Sequence, residues 1–359
     1  MTASPFDHPL LSGLLGDDEV SVLLGAEADL DAMAAFEAAL ARAEAVAGLI
    51  PAEAGPAIAG ACAEFVPNRG EIRAAVARDG VTTVEWVRQL RAAVPEAYRE
   101  YVHFGVTSQD VIDTSLAVRL KAILALFEDR LGRLIEALAV LEGRFGANRL
   151  MARTRMQDAL EISVADRLAD WRLPLQRHIE RLYEVSARVL VLQLGGAVGD
   201  RARLGEKAGE VAALIAAELG LSATGKAWHS QRDGIFECAS WLTGVSGTIG
   251  KIGQDVALMA LSGDRQIVLA GGGGSSAMPH KTNPVAAEAL VSLARYNAAL
   301  ISGMGQAMVH EQERSGAAWT LEWLTFPQML MTTGAGLLLA ERLLGAVEGI
   351  GLGPVINCR

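Results

Sequence analysis

From about Asp110 to Phe145, the apolar residues Leu116, Leu120, Ile123, Phe127, Leu131, Leu134, Leu138 and Leu141 step by threes and fours without a break. That period marks one face of an α-helix. At about 1.5 Å per residue the helix would be on the order of 50 Å long. No small globule buries so long a stripe unless helices of similar length run beside it. Residues 159–193, 204–220, 233–263, 284–312 and 327–348 also read as helices, several of them separated by glycine and proline clusters. The pattern predicts an all-α protein built on a long up-and-down bundle, with no strand-alternating block and no short-period repeat.

Upstream, residues 29–49 carry Leu30, Met33, Phe36, Leu40 and Val46 at helical spacing. A second helical set follows Pro51, and Pro67–Gly70 breaks the chain. The expected organisation is a small N-terminal helical domain over 1–105, a central bundle over 106–348 and a short tail over 349–359. Hydrophobic residues make up 51% of the chain but aromatic ones only 5%, so the apolar mass is mostly Ala, Leu, Val and Ile. Such residues favour helices that approach closely through small side chains.

A net charge of −10 argues against non-specific binding to nucleic acid or to an anionic membrane surface. The uncharged run Trp323–Ala340 contains Pro327, Gln328 and several Thr and Gly residues, so it reads as a buried helix and not a membrane span. MTASPFDHPL at the N-terminus has neither a basic nor an apolar leader region, and no signal peptide is expected. Cys62, Cys238 and Cys358 show no metal-ligand or disulfide spacing, which fits a reducing cytoplasm.

Chemistry concentrates in Gly271–Pro284, GGGGSSAMPHKTNP. Four glycines lead into two hydroxyls, a proline-stiffened turn, a lysine and an amide. That order suits a segment closing on an anion with Ser275 or Ser276, Lys281 and Asn283. A plain flexible linker would not carry Met278, Pro279 and the Lys281–Pro284 run. A phosphate-binding P-loop needs glycine immediately before its lysine, where this chain has His280. Gly274–Pro284 resembles the GSSxMPxKxNP signature of the fumarase/aspartase superfamily and matches it throughout. The resemblance implies that Ser275 is the proton-transfer residue. It also implies that Lys281 and Asn283 hold the carboxylate next to a carbon that becomes carbanionic. Preorganised donors stabilise such a charge most where it develops.

Four further segments extend the resemblance. His103–Asp110, HFGVTSQD, offers Thr107 or Ser108 followed by Asp110 as a helix N-cap, and the same geometry makes an anion site. It resembles the first conserved region of the adenylosuccinate lyase and carboxymuconate cycloisomerase branches, where the Thr-Ser pair binds a carboxylate and the His lies near the reacting atoms. Ala152–Gln157, ARTRMQ, reads as a basic surface turn on its own. It is similar to a GRTHxQ region in which a His protonates the departing group. Arg155 takes that position here, between Thr154 and Gln157. An amine leaving group needs a proton, whereas a carboxylate, with a pKa of about 4, needs none. A fixed guanidinium would instead clamp a carboxylate.

Trp228–Asp233, WHSQRD, resembles a segment close to the substrate and makes Gln231 a candidate, with Arg232 a weaker one. His8 and His178 have no such context and read as ordinary surface or packing residues. Glu313–Trp323, ERSGAAWTLEW, is similar to the ERxxGxWxxEW pattern of the carboxymuconate cycloisomerase branch, with the glycine one place early. Arg314 is its candidate anion contact, and two tryptophans at helical spacing usually belong to a core.

Taken together, the resemblance implies a lactonising cycloisomerase of a tricarboxylate muconate, in which one carboxylate adds across a conjugated double bond. It implies carboxylate binding by Lys281, Asn283, Thr107 and Ser108, with positive charge from Arg155 and Arg314. His103 and Lys281 are rivals to Ser275 for the proton. No metal or organic cofactor is implied. Relatives are homotetramers whose sites draw regions from three subunits, and most of their third, C-terminal helical domain is expected to be absent here. An adenylosuccinate lyase-like activity, a sulfonated muconate as substrate and an inactive helical scaffold are the alternatives.

Overall fold

A run of small helices precedes the bundle: α1 (Ser12–Leu15), α2 (Asp18–Leu24), α3 (Ala26–Ala47), α4 (Ala54–Glu64), α5 (Arg69–Asp79) and α6 (Thr83–Ala93). The computed structural model describes residues 4–262, 264–274, 276–278 and 281–351. The boundaries have local causes. Asn68 caps α5 by accepting from the amides of Gly70 and Glu71, and α3 stops where Gly48 turns left-handed at φ 75°. Met33, Phe36, Leu40, Ile58, Trp86 and Leu90 bury the inner faces in a first core.

The long helix expected near Asp110–Phe145 is α7, Ser108–Phe145, with 38 residues. Leu120, Ile123, Phe127, Leu131, Leu134 and Leu138 are fully buried along it. At about 1.5–3 kcal/mol for each such side chain, this stripe alone outweighs any single polar contact in holding the bundle. A hairpin follows, β1 (Arg149–Thr154) with β2 (Gln157–Ser163), and then α8 (Val164–Val189) and α9 (Ala208–Leu219). The bundle continues with α10 (Asp233–Met259), β3 (Ile267–Leu269), α11 (Val285–Ala307), α12 (Gly316–Gly345) and β4 (Val347–Ile350), which pairs antiparallel with β3. Helices α7, α8, α10, α11 and α12 share a second core. α10 and α11 approach through small residues, as the composition suggests. A Cβ on Gly253 would lie 2.6 Å from the carbonyl oxygen of Ala287, so only glycine allows that spacing.

Three expectations change. Residues 159–163, expected to open a helix, belong instead to a strand over 157–163, because the chain reverses tightly at Arg155 and Met156 and pairs back on 149–154. The final bundle helix begins at Gly316, well before Pro327: Ser315 caps it by accepting from the amide of Ala318, and its buried face carries the helix through the proline. Finally, α9 packs in the first core, where Val211, Ala212 and Ile215 meet the helices of the N-terminal region. No helix among the described residues is long and apolar enough to cross a membrane.

The first core also contains two carboxyls, Glu37 and Glu44, seven residues apart and so on one face of α3. Burial, and then the charge of Glu37, push the Glu44 carboxyl up to about 9, from an ordinary value of 4.5. Between those values the folded chain holds a proton that the unfolded chain releases. Stability therefore falls as pH rises through that window. Glu44→Leu should unfold at a higher temperature than the wild type at about pH 8, with the gap closing toward about pH 5. Thermal unfolding at both values tests this, and a pH-independent gap would refute it.

Candidate active site

At the start of α7, Thr107 is the N-cap in an extended conformation, and Asp110 closes a capping box by accepting from the Thr107 amide at 2.9 Å. The cap read from sequence is thus formed, but Asp110 does more than cap. Its fully buried carboxylate also accepts from the Gly196 amide at 2.8 Å and faces His229 Nε2 at 2.8 Å. Gly196 has φ 72°, and a Cβ there would lie 2.8 Å from the carbonyl oxygen of Gly105. The glycine loop is therefore pressed onto the turn that leads into α7.

Arg314 closes over this turn. Its Nε donates to Gln109 Oε1 at 3.0 Å and one terminal nitrogen donates to Thr107 Oγ1 at 3.3 Å. The other donates to the carbonyl of Ala197 at 3.2 Å. Thr107 and Arg314 belong to separate sequence motifs, and the fold joins them although they are 207 positions apart. Ser108 begins α7, half-buried. His103 sits on the preceding turn at φ 61°, with Nδ1 2.5 Å from Glu37 Oε1.

Behind them is a charged network with no exposure to speak of. Arg232, the N-cap of α10, donates to both oxygens of Asp113 (2.7 and 3.2 Å) and both of Glu322 (2.8 and 2.5 Å). Burial works against its charge, and the two carboxylates more than offset that, so its pKa lies above the ordinary guanidinium value. Trp319 Nε1 donates to Asp113 at 3.1 Å, and the Arg232 guanidinium lies 4.7 Å over the Trp228 ring. Trp319 is buried as a core tryptophan, while Trp323 lies against it with tilted ring planes, centroids 4.6 Å apart, and is 37% exposed.

Most of the remaining named residues are at the other end of α7. Arg155 (φ 49°) and Met156 (φ 66°) form the left-handed tip between β1 and β2, with Thr154 and Gln157 flanking it, all four exposed. Arg153 pairs with Asp158 at 2.8 Å and also with Asp264, which ties the hairpin to the approach to β3. An open cleft of about 1160 Å³ lies there, with Arg153, Arg155, Gln157, Lys251 and Asp264 among its walls. Asn148, just past α7, donates to the carbonyl of Ile350 at 2.7 Å and so brings β4, and β3 with it, to the same end.

The signature loop leaves from β3. Gly273 and Asn283 exchange backbone hydrogen bonds at 2.9 Å, and the Lys281 amide donates to Met278 at 2.9 Å. Lys281 and Ser276 are exposed and Asn283 half-buried, whereas Ser275 lies outside the described residues. Gln231 is exposed beside a shallow cleft with Arg188 and Trp228, one residue from the buried Arg232.

The profile of the lyase family, described simply as Lyase, matches residues 19–296. The chain is 42% identical over 328 residues to the 3-carboxy-cis,cis-muconate cycloisomerase of Pseudomonas aeruginosa, covering 89% of this chain and 71% of that one. Identity to the Pseudomonas putida protein of the same name is 39% over 326 residues, covering 89% and 77%. The crystal structure of 3-carboxy-cis,cis-muconate lactonizing enzyme from Pseudomonas putida superposes with a TM-score of 0.89 at 36% identity, over 95% of this chain and 77% of that one. The chain belongs to this lyase family, in its carboxymuconate cycloisomerase branch. The helical bundle of that branch is the fold described above.

Several members of the network at the start of α7 were missed by sequence reasoning: Gln109, Asp110 as a hub, Asp113, His229 and Glu322. Their signal was present inside the motifs already marked or, for Asp113, just beyond one. Asp110 and Asp113 are three residues apart, which puts both on one helix face, and Glu322 lies in the segment that marks the branch. Among the described residues no group of three or more His, Cys, Asp or Glu is placed to hold a metal ion.

Removing the cation alone would leave Asp113 and Glu322 buried and opposed. Arg232→Met should cost about 3–5 kcal/mol of stability, whereas the triple change with Asp113→Leu and Glu322→Leu should recover most of it. Denaturant midpoints decide, and a single-variant loss below about 1 kcal/mol would mean that the network is hydrated.

Proposed function

We propose that the chain is a lactonising cycloisomerase that converts 3-carboxy-cis,cis-muconate to a carboxymuconolactone. The observation that carries the proposal is where the branch-marking segment goes. Arg314 bonds Thr107 and Gln109, Trp319 bonds Asp113, and Glu322 bonds Arg232, so the segment is built into the head of α7. The similarity to named cycloisomerases over most of the chain supports the same reading.

The chemistry follows from charge. Near neutral pH each carboxylate is ionised and is already a nucleophile, so no base is needed to activate it. Its oxygen forms the C–O bond, and the π pair of the double bond takes a proton at the carbon beside another carboxylate. Three carboxylates become two and a lactone, so one proton is taken up. Lys281, Asn283, Thr107 and Ser108 would hold carboxylates, with Arg155 and Arg314 adding fixed charge. Thr154, Gln157, Gln231 and Ser276 would complete the contacts. The proton would come from Ser275, His103 or Lys281. No metal or organic cofactor is required.

α7 is on the order of 55 Å long at 1.5 Å per residue. Thr107 and Arg314 lie at its first turn, whereas the hairpin and the Gly273–Asn283 pairing lie past its last, so one chain does not bring these together. Assembly into a homotetramer with shared sites is the natural remedy, with closed symmetry the usual form. The free, buried thiols Cys62 and Cys238 are consistent with the cytoplasm.

Added to carboxymuconate, the protein should abolish the diene absorbance and take up one proton per turnover in weak buffer, while leaving adenylosuccinate untouched. Turnover of adenylosuccinate alone would overturn the assignment. Sharing has its own test. Ser275→Ala and Thr107→Val, each inactive, should regain partial activity when unfolded and reassembled together, and light scattering should show a tetramer. A monomer, or no recovery on mixing, would sink the shared site.

A further inference from the structure

Glu37 lies in no motif and far in sequence from the residues assigned above. Its side chain is 1% exposed, Oε1 is 2.5 Å from His103 Nδ1, and Oε2 has no hydrogen-bond partner. Burying a charge this way costs several kcal/mol unless it is well paired, and an apolar residue would serve the core better. Glu44, on the same helix face, is driven to its neutral form by burial and then by the charge of Glu37. Of the two carboxyls, Glu37 is the one with a partner: its Oε1 faces an imidazole, whereas neither Glu44 oxygen has a hydrogen-bond partner.

His103 is held as firmly as its partner. It occupies the left-handed region at φ 61°, which costs a non-glycine residue about 1 kcal/mol or more. Neighbouring contacts enforce that geometry: Val102 is 1% exposed, and Arg91 donates to its carbonyl at 3.1 Å. A carboxylate at Nδ1 keeps the proton on that nitrogen and leaves the Nε2 lone pair free. With Nδ1 turned inward and the ring still 14% exposed, the Nε2 edge is the one left on the open side, four residues before Thr107.

We infer that Glu37 is a positioning residue for His103: it holds the ring as the Nδ1–H tautomer and presents Nε2 to the substrate at the head of α7. The identity of the substrate rests on the cycloisomerase reading, but the tautomer does not. A ring so held can take a proton from water at Nε2, the imidazolium being balanced by Glu37. As the carboxylate oxygen forms the C–O bond, the π pair takes that proton to form the C–H bond. The ring returns to neutral Nδ1–H imidazole.

The test uses the whole protein labelled with 15N-histidine, at a pH above the imidazole range. Two-bond 15N–1H couplings report the tautomer, and the His103 signal is identified by its loss in His103→Asn. The wild type should show Nδ1–H, and Glu37→Leu should shift the ring toward Nε2–H. On carboxymuconate, Glu37→Leu should lower kcat at least about tenfold with KM within about twofold and an unfolding temperature unchanged or higher. An Nε2–H ring in the wild type overturns the proposal even if the variant fails to fold. Unchanged kcat in a folded Glu37→Leu overturns it too. A wild type with the Nδ1–H ring but no turnover of carboxymuconate would remove the substrate assignment and still support the Glu37–His103 pairing.

Discussion

A single buried guanidinium, that of Arg232, holds the head of the bundle together. Asp113 comes from α7, Arg232 from the start of α10 and Glu322 from α12, so one cation fixes three long helices at one height. Its value lies in register and not in raw stability, since apolar side chains of similar size often serve a core as well. With α12 placed, Arg314 just before it falls onto Thr107 and Gln109, and with α7 placed, Asp110 reaches the Gly196 amide. Thr107 and Arg314, the two proposed carboxylate contacts at this end, therefore depend on a contact that no substrate need touch.

The length of α7 sets the second constraint. Its leucine stripe requires a long bundle, and a long bundle keeps its two ends apart. Loops gather at the ends, so the candidate site residues gather there too: Thr107, Arg314 and His103 at one, the hairpin tip and Asn283 at the other. An architecture of this kind suits a substrate with several carboxylates, because each end of each chain can offer a separate cationic or hydroxyl-lined patch. Arg155 sits at an exposed tip, where it makes no core contact.

The first core shows a different economy. Two carboxyls sit among alanines: burial holds Glu44 well above the ordinary carboxylate range, and Glu37 faces His103. Hydrophobic burial from Met33, Phe36, Leu40 and Trp86 offsets that penalty, as such cores commonly do where a polar group serves a site. The small N-terminal helices thus act on the head of α7 from behind, through a ring and a carboxylate.

Periodicity along the chain was enough to establish the helical class, the long α7 and the approximate extent of most bundle helices, because burial of one helix face repeats every three to four residues. The motifs also named most residues expected to meet substrate, since hydroxyl, amide and guanidinium groups in fixed order have few other uses. Pairing was not legible in this way. Short strands at 149–163 lack a strong alternating signal, and their pairing depends on a left-handed turn at Arg155 and Met156. That α9 belongs to the first core, that Asp113 and Glu322 share Arg232, and that Glu37 faces His103 are contacts across tens to hundreds of residues. A local pattern records which face of an element is apolar. Only the folded chain decides which buried charge that face will find opposite.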